Sequence, residues 1–133
     1  MITLDTSGLY ALINRSDPDH RAAVDALADE RPPYLVPAGI LAEICYLIEA
    51  RLGHEVLDAF LADLSEGVFH LDCGDGDLPQ IRRFASRYRD LPLGFSDAAV
   101  VACALRSGGL VLTFDRRDFD VVAGEAAISV RPT

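Results

Sequence analysis

Apolar positions follow two different periods along this chain. Short, mostly apolar runs are typical of strands buried in a parallel sheet, and longer segments with an apolar residue every three or four positions are typical of amphipathic helices. The predicted strands are Ile2–Leu4, Tyr34–Val36, Val68–Leu71, Leu110–Phe114 and Ile128–Val130. Because helical segments separate the strands, we predict an α/β fold, a three-layer sandwich with a short central parallel sheet flanked by helices.

Most of the predicted helices begin at residues that cap helices or open their first turn. These starts are, in chain order, Thr6 or Ser7, Asp17–Pro18, Pro37, Asp77 and Ser96. The helix from Pro37 ends at Gly53, and the helix after Ser96 is expected to cover Asp97–Arg106. Another helix carries the apolar positions between Val56 and Leu64. No linker, repeat or low-complexity segment interrupts residues 1–133, which we assign to a single domain.

Composition restricts the class of function. The formal net charge is −9, which argues against generic adhesion to nucleic acid and suits a basic protein partner or a site neutralised by cations. All 12 basic residues are arginine, so there is no lysine for a Walker A phosphate loop or for Schiff-base chemistry. The start MITLDTSGLY lacks the features of a signal peptide and no apolar run is long enough to span a bilayer, so we expect a cytoplasmic protein.

Several acidic residues are predicted to meet at one edge of the sheet. Asp5 and Asp115 each follow a strand directly, and the carboxyl ends of parallel strands share an edge, where ligands bind in open α/β folds. Asp97 lies in the first turn of a helix whose N-terminus faces the same edge. Glu43 interrupts the apolar helix PAGILAEICYLI, and we expect it to be partly buried, which is costly unless it is paired or ligating.

Each of these acids alone has an ordinary structural explanation. Asp5 can lie beside a helix cap, Asp97 can complement a helix dipole, Glu43 can lie at a helix margin and Asp115 can belong to a turn. Together, three or four acids at one edge with no lysine to neutralise them indicate a bound cation. Carboxylate oxygens are hard ligands, so we expect Mg²⁺ or Mn²⁺.

Other metal and phosphate chemistries fit less well. The segment DCGDGDLPQI lacks the closing glutamate of an EF-hand calcium loop. The three histidines show no zinc-binding spacing. Response-regulator receivers and haloacid-dehalogenase-type phosphatases also place aspartates at strand ends, but both require a lysine.

Four segments, MITLDTSGLYAL, PAGILAEICYLI, GFSDAAVVACAL and VLTFDRRDF, occur in this order along the chain. In order and spacing they resemble the motifs of PIN-domain ribonucleases, specifically the VapC-type toxins of bacterial toxin–antitoxin pairs, over essentially all 133 residues. The resemblance implies a magnesium- or manganese-dependent endoribonuclease that cleaves structured RNA, such as a tRNA or ribosomal RNA loop. The acids that it implies as catalytic residues and metal ligands are Asp5, Glu43, Asp97 and Asp115.

The resemblance also implies supporting roles for neighbouring residues. Thr6, Ser7 and Asp118 are expected to support the acids from around the metal site, with Ser7 placed to add a water or metal contact, whereas Asp120 is interpreted as part of a solvated loop. A metal held by the acids would lower the pKa of a bound water, and either Glu43 or Asp115 would orient or deprotonate that water.

Arginines offer possible contacts to the RNA backbone. Arg116 and Arg117 can bind phosphate in a bidentate manner, but charge balance within an acidic loop explains them equally well. The basic stretch Arg82–Arg89 is better explained as a solvated helix face.

Partners follow from the same resemblance. VapC-type toxins form homodimers and are silenced by an antitoxin segment, and a chain of net charge −9 suits a cationic inhibitory segment. We expect the antitoxin groove near the apolar residues of the first helices, Leu9, Tyr10, Ile13, Ile44, Leu47 and Ile48. Two alternatives stay open: a non-catalytic PIN-like module that binds RNA or protein, and another metal-dependent nuclease or phosphatase.

Overall fold

Five short strands form one parallel sheet in a computed structural model of the chain, which describes residues 1–91 and 93–133. The strands are β1 (Ile2–Leu4), β2 (Tyr34–Pro37), β3 (His70–Asp72), β4 (Leu110–Leu112) and β5 (Ser129–Arg131), and their order in the sheet is β3-β2-β1-β4-β5. Every neighbouring pair is parallel. The predicted α/β class and all five predicted strands are therefore confirmed, although the bounds of β2 to β5 differ from the predicted ones by one or two residues.

Within residues 1–91 and 93–133, seven α-helices flank the sheet. They are α1 (Thr6–Ile13), α2 (His20–Ala28), α3 (Leu41–Leu52), α4 (His54–Glu66), α5 (Leu78–Arg87), α6 (Phe95–Arg106) and α7 (Arg116–Glu125). Right-handed crossovers place α1 to α4 on one face and α5 to α7 on the other. The contacts of α1 with α2 and α3, and of α5 with α6, agree with this division.

The sheet reverses its winding direction between β1 and β4. From β1 the chain continues to β2 and then to β3 on one side of β1, whereas from β4 it continues to β5 on the other side. In open α/β sheets, ligands bind in the crevice at such a switch point, beyond the carboxyl ends of the strands. Asp5 directly follows β1 and Asp115 lies three residues after β4, so the topology brings both to that crevice.

Buried apolar side chains hold the three layers together. Ile2, Leu4, Val111 and Leu112 of the two central strands are fully buried, and helix α6 is buried from Ala98 to Ala104. None of the helices in the described part of the chain has the length and hydropathy needed to span a bilayer.

The segment after β4 was interpreted wrongly from the sequence. Residues Arg116–Glu125 form helix α7, so Asp120 lies in a helix and not in a solvated loop. Phe119 and Val122 supply the apolar face that packs into the core. This stripe is only one turn long and lies among charged residues, so periodicity alone did not reveal it.

Several helix starts also differ from the prediction. Pro37 is the last residue of β2, and a 3-10 turn at Ala38–Ile40 precedes α3. Helix α6 begins at Phe95 with Gly94 as its N-cap, and the Ser96 hydroxyl donates to the Gly39 carbonyl instead of capping the helix. Asp77 does precede α5, but its carboxylate binds Arg106 and makes no cap hydrogen bond.

Candidate active site

Five acids lie at the N-terminal ends of four different helices. Asp5 and Asp115 are the N-cap residues of α1 and α7, while Glu43, Asp97 and Asp118 are each the third residue of α3, α6 and α7. These helix N-termini point to the carboxyl edge of the sheet, and their positive dipole ends partly offset the charge of the acids. The parallel fold thus converts five distant sequence positions into one cluster.

Hydroxyl groups fix the orientation of Asp5. Ser7 Oγ donates to Asp5 Oδ2 at 3.0 Å, and Thr113 Oγ1 donates to the same oxygen at 2.7 Å. Each hydroxyl also accepts a backbone N–H, from Phe114 at 2.9 Å and from Asp115 at 3.0 Å. The two hydroxyls also lie 3.1 Å from each other, so Asp5 Oδ2 is held by a small network of hydroxyl groups.

Sequence reasoning missed Thr113. Its side chain is fully buried next to Asp5, because the register of the sheet pairs Leu4 with Leu112 and the Asp5 N–H donates to the Leu112 carbonyl. In the sequence, the role of Thr113 is indicated only by its hydroxyl group and by its position between the apolar residues of the strand and Asp115. The partner of that hydroxyl lies 108 positions away, so the sequence did not identify it.

Burial and mutual repulsion raise the pKa values of the acids. Burial, followed by the charges of the neighbouring acids, raises the pKa of the Asp97 carboxyl from its ordinary 3.8 to about 7. The pKa of Asp5 is also raised by burial, against the hydrogen bonds from Thr113 and Ser7 that lower it. Partial desolvation and the charge of Asp118 raise the pKa of Asp115. The cluster therefore holds more negative charge than the protein groups around it neutralise.

Asp97, Asp115 and Asp118 form the tightest part of the cluster. One carboxylate oxygen from each lies within 4.8 Å of the others. The Oδ1 atom of Asp118 is buried and has no hydrogen-bond partner, and Arg117 Nε is too distant for one at 3.7 Å. A buried carboxylate oxygen without a partner is costly, and a bound cation would satisfy it.

The predicted quartet lines one cleft. Asp5, Glu43, Asp97 and Asp115 all border an open space of about 310 Å³, which we call the acidic cleft. The expectation that Glu43 is partly buried was wrong, because its side chain is exposed at the mouth of this cleft. Hence Glu43 faces water and incoming ligands, and its position in an apolar helix has no desolvation cost to explain.

The remaining predicted site residues lie around this cleft. Thr6 and Ser7 line it, and the Thr6 backbone N–H helps to lower the pKa of Asp5. Arg116 is engaged elsewhere, since it donates to Asp120 at 3.1 Å and to the Pro132 carbonyl at 2.6 Å. Arg117 is highly exposed beside Asp118.

The donor set fits a divalent cation. Carboxylate oxygens converge from several helices, one of them is buried without a hydrogen-bond partner, and burial together with the charges of neighbouring acids raises the pKa of Asp97. Hard oxygen ligands of this kind suit magnesium or manganese better than zinc or copper.

Comparisons with known proteins agree with this geometry. A family model for the PIN domain matches residues 2–125. Ribonuclease VapC26 of Mycobacterium tuberculosis (strain ATCC 25618 / H37Rv) is 33% identical over 121 residues, which are 90% of each chain.

Solved structures show the same fold. The crystal structure of M. tuberculosis VapC20, a toxin that cleaves the sarcin–ricin loop, is 25% identical with a TM-score of 0.79, covering 96% of this chain and 98% of that one. VapBC2 from Rickettsia felis, bound to a DNA fragment from its promoter, has a TM-score of 0.69 at 14% identity, covering 98% and 97%. With a family model over nearly its whole length and a relative at 33% identity, the chain belongs to the PIN-domain family.

Proposed function

We propose that this protein is a magnesium-dependent endoribonuclease toxin that cleaves phosphodiester bonds in structured RNA. The observation that carries the proposal is the convergence of Asp5, Glu43, Asp97 and Asp115 on one cleft, with the buried, unpartnered Asp118 oxygen beside them. A protein that only bound RNA would gain nothing from acids that repel the RNA backbone. The similarity to a ribonuclease of the VapC type supports the same reaction.

The acids include groups that would hold the cation and groups that water can reach, and Asp115 belongs to both sets. Asp5, Asp97, Asp115 and Asp118 would hold the cation, which when bound supplies a Lewis acid and a nucleophilic water. Ser7 and Thr113 keep Asp5 Oδ2 engaged, so the other oxygen of that carboxylate has a defined direction. Glu43 or Asp115, the two exposed acids of the quartet, accepts the proton of the attacking water.

The substrate and partners follow the same proposal. Proteins read RNA sequence mainly in unpaired loops, so we propose a tRNA or ribosomal RNA loop as the substrate. VapC20 is described as cleaving such a loop, and VapBC2 of R. felis is a VapBC assembly. We propose a cognate antitoxin with a cationic segment, attracted by the net charge of −9, and a homodimer as the active form.

Replacing Asp97 or Asp5 by asparagine tests the reaction. Either change should reduce RNA cleavage at least about a hundred-fold and abolish growth arrest, because a loss of ~3 kcal/mol in transition-state stabilisation has that effect. Cleavage is measured on cellular RNA by mapping new 5′ ends after brief induction, with excess chelator as a second condition.

Asp58→Asn is the matched control, since Asp58 is exposed on α4 and the change in charge is the same. Full cleavage by Asp97→Asn, or by the unmodified protein in excess chelator, is incompatible with the proposed reaction. Tight RNA binding without any cleavage by the unmodified protein would favour the non-catalytic module instead.

A further inference from the structure

The acidic cleft continues beyond the acids to an arginine. Arg51 lines the same space as Asp5, Glu43 and Asp97, and it is the one basic residue along the described wall of the cleft. It follows Glu43 and Leu47 on helix α3 at intervals of four residues, and all three line the cleft. Eight residues of helix correspond to roughly 12 Å, so the backbone of Arg51 lies about that far from the backbone of Glu43.

An aromatic ring holds the guanidinium of Arg51. The guanidinium carbon lies 5.6 Å from the centroid of the Tyr10 ring, within the range of a cation–π interaction. Tyr10 belongs to α1, and its hydroxyl accepts a long hydrogen bond of 3.5 Å from Asn14. The arginine is thus partly ordered before any ligand binds, which lowers the entropy lost on binding.

Arg51 keeps its hydrogen-bonding capacity despite its acidic surroundings. Asp17 and Asp19 also line the cleft. Within residues 1–91 and 93–133, however, every arginine–carboxylate pair closer than 4.0 Å involves an arginine other than Arg51. Asp17 instead accepts the backbone N–H of Asp19 at 2.8 Å. An exposed guanidinium that no carboxylate neutralises is suited to an anionic group from outside the protein.

We propose that Arg51 binds a backbone phosphate of the RNA substrate other than the one that is cleaved, and that Tyr10 is a positioning residue for Arg51. The inference rests on the proposed function. A strand whose scissile phosphate lies at the acids brings another of its phosphates to the arginine, because both groups line one cleft. Arg51 therefore fixes the register of the strand while the acids carry out the reaction.

Binding of a short, fluorescein-labelled single-stranded RNA, followed by anisotropy with Ca²⁺ in place of Mg²⁺, tests this role. Arg51→Ala should weaken binding about ten-fold, since a charge-assisted hydrogen bond is lost. The plot of log affinity against log salt concentration should become shallower by about 0.7, the value for one phosphate contact on a single strand. Arg51→Lys should keep the salt slope and lose part of the affinity.

Arg31→Ala is the matched control. Arg31 is exposed three residues before β2, at the amino ends of the strands and therefore away from the acidic cleft. Its loss changes the net charge by the same amount as the loss of Arg51. Tyr10→Leu should lower affinity a few-fold without changing the salt slope, because the phosphate contact persists in a less ordered form.

The outcomes separate this inference from the proposed function. If Arg51→Ala matches Arg31→Ala, or weakens binding with an unchanged salt slope, Arg51 does not contact phosphate, although the ribonuclease proposal stands. If the unmodified protein neither binds nor cleaves RNA, both proposals fail.

Discussion

Individual side chains at the acidic cleft have unequal roles that their chemistry alone does not reveal. Asp5 is almost fully buried and held by two hydroxyls, whereas Glu43 is exposed. Asp118 and Asp120 are two positions apart, but the first is buried at the cluster and the second is exposed on α7, paired with Arg116. Burial therefore ranks acids that look equivalent in the sequence.

Asp118→Asn should weaken manganese binding about ten-fold, a change of ~1.4 kcal/mol, because one buried ligand oxygen is replaced by an amide group. The metal-free protein should at the same time become more stable, since a buried carboxylate oxygen without a hydrogen-bond partner is removed. Calorimetric titration with Mn²⁺ and thermal unfolding in chelator measure the two effects.

Asp120→Asn is the control for that substitution, because the same chemical change then occurs at an exposed residue of the same helix. It should leave manganese affinity unchanged. Equal manganese affinities for the two variants would show that Asp118 is not a ligand.

Helix α1 and strand β4 approach each other unusually closely, and this contact positions the cleft. A Cβ atom at Gly8 would lie 2.3 Å from the carbonyl oxygen of Leu112, a backbone atom that cannot move without shifting the sheet. The absence of a side chain at Gly8 allows Ser7 to reach both Asp5 and the Phe114 N–H. Local packing between two elements thus sets the geometry of the carboxylate.

Gly8→Ala should destabilise the protein by about 1–3 kcal/mol. The gain in helix propensity of about 1 kcal/mol is smaller than the cost of moving α1 away from β4 when a packed contact is overfilled. RNA cleavage should fall as well, because the hydrogen bonds of Ser7 depend on this contact. Urea denaturation and a cleavage assay measure the two consequences.

Gly124→Ala in α7 provides the comparison, since a Cβ atom there would meet no neighbouring atom within 4 Å. That change should stabilise the protein by about 0.5–1 kcal/mol. A Gly8→Ala protein as stable and active as Gly124→Ala would mean that the close approach is unimportant.

Considered as a whole, the molecule concentrates negative charge at the switch point of its sheet. The net charge is −9, and at least three acids of the cleft have raised pKa values. Four helix N-termini and two hydroxyls offset part of this charge. The negative charge that is not offset couples the stability of the protein to pH and to the binding of divalent cations.

Without metal, the protein should lose stability as the pH rises from about 4 to 7. The pKa of Asp97 is about 7 in the folded state and near 3.8 when unfolded, so the folded state binds more protons in this interval and unfolding releases them. The stability that the protonated Asp97 contributes is fully present below pH 3.8 and is lost as the pH passes about 7. Asp72, whose pKa Arg106 lowers, acts in the opposite sense only at more acidic pH.

Thermal unfolding in chelator at pH 5 and pH 8 measures this effect, with a lower Tm expected at pH 8. Mg²⁺ should restore a few degrees at pH 8 and have little effect at pH 5, where protons compete for the same oxygens. Asp97→Asn should remove most of the pH dependence. Equal Tm values at the two pH values in chelator would contradict the coupling of the acids.

Much of the architecture was accessible from the chain alone. Strands and helices follow from apolar periodicity, because burying one face of an element is the main stabilising term, and that pattern is local. Asp5, Asp97 and Asp115 could be placed at one edge because parallel strands share their carboxyl ends. The motif resemblance added the family, which the comparisons confirm.

Other features depend on contacts between distant residues. The β1–β4 register places Thr113 beside Asp5, and the docking of α7 buries Asp118. The approach of α1 to α3 stacks Arg51 on Tyr10. A periodic pattern reports which face of an element is buried but not what lies opposite, so the partners of each polar group appear only once the layers are packed.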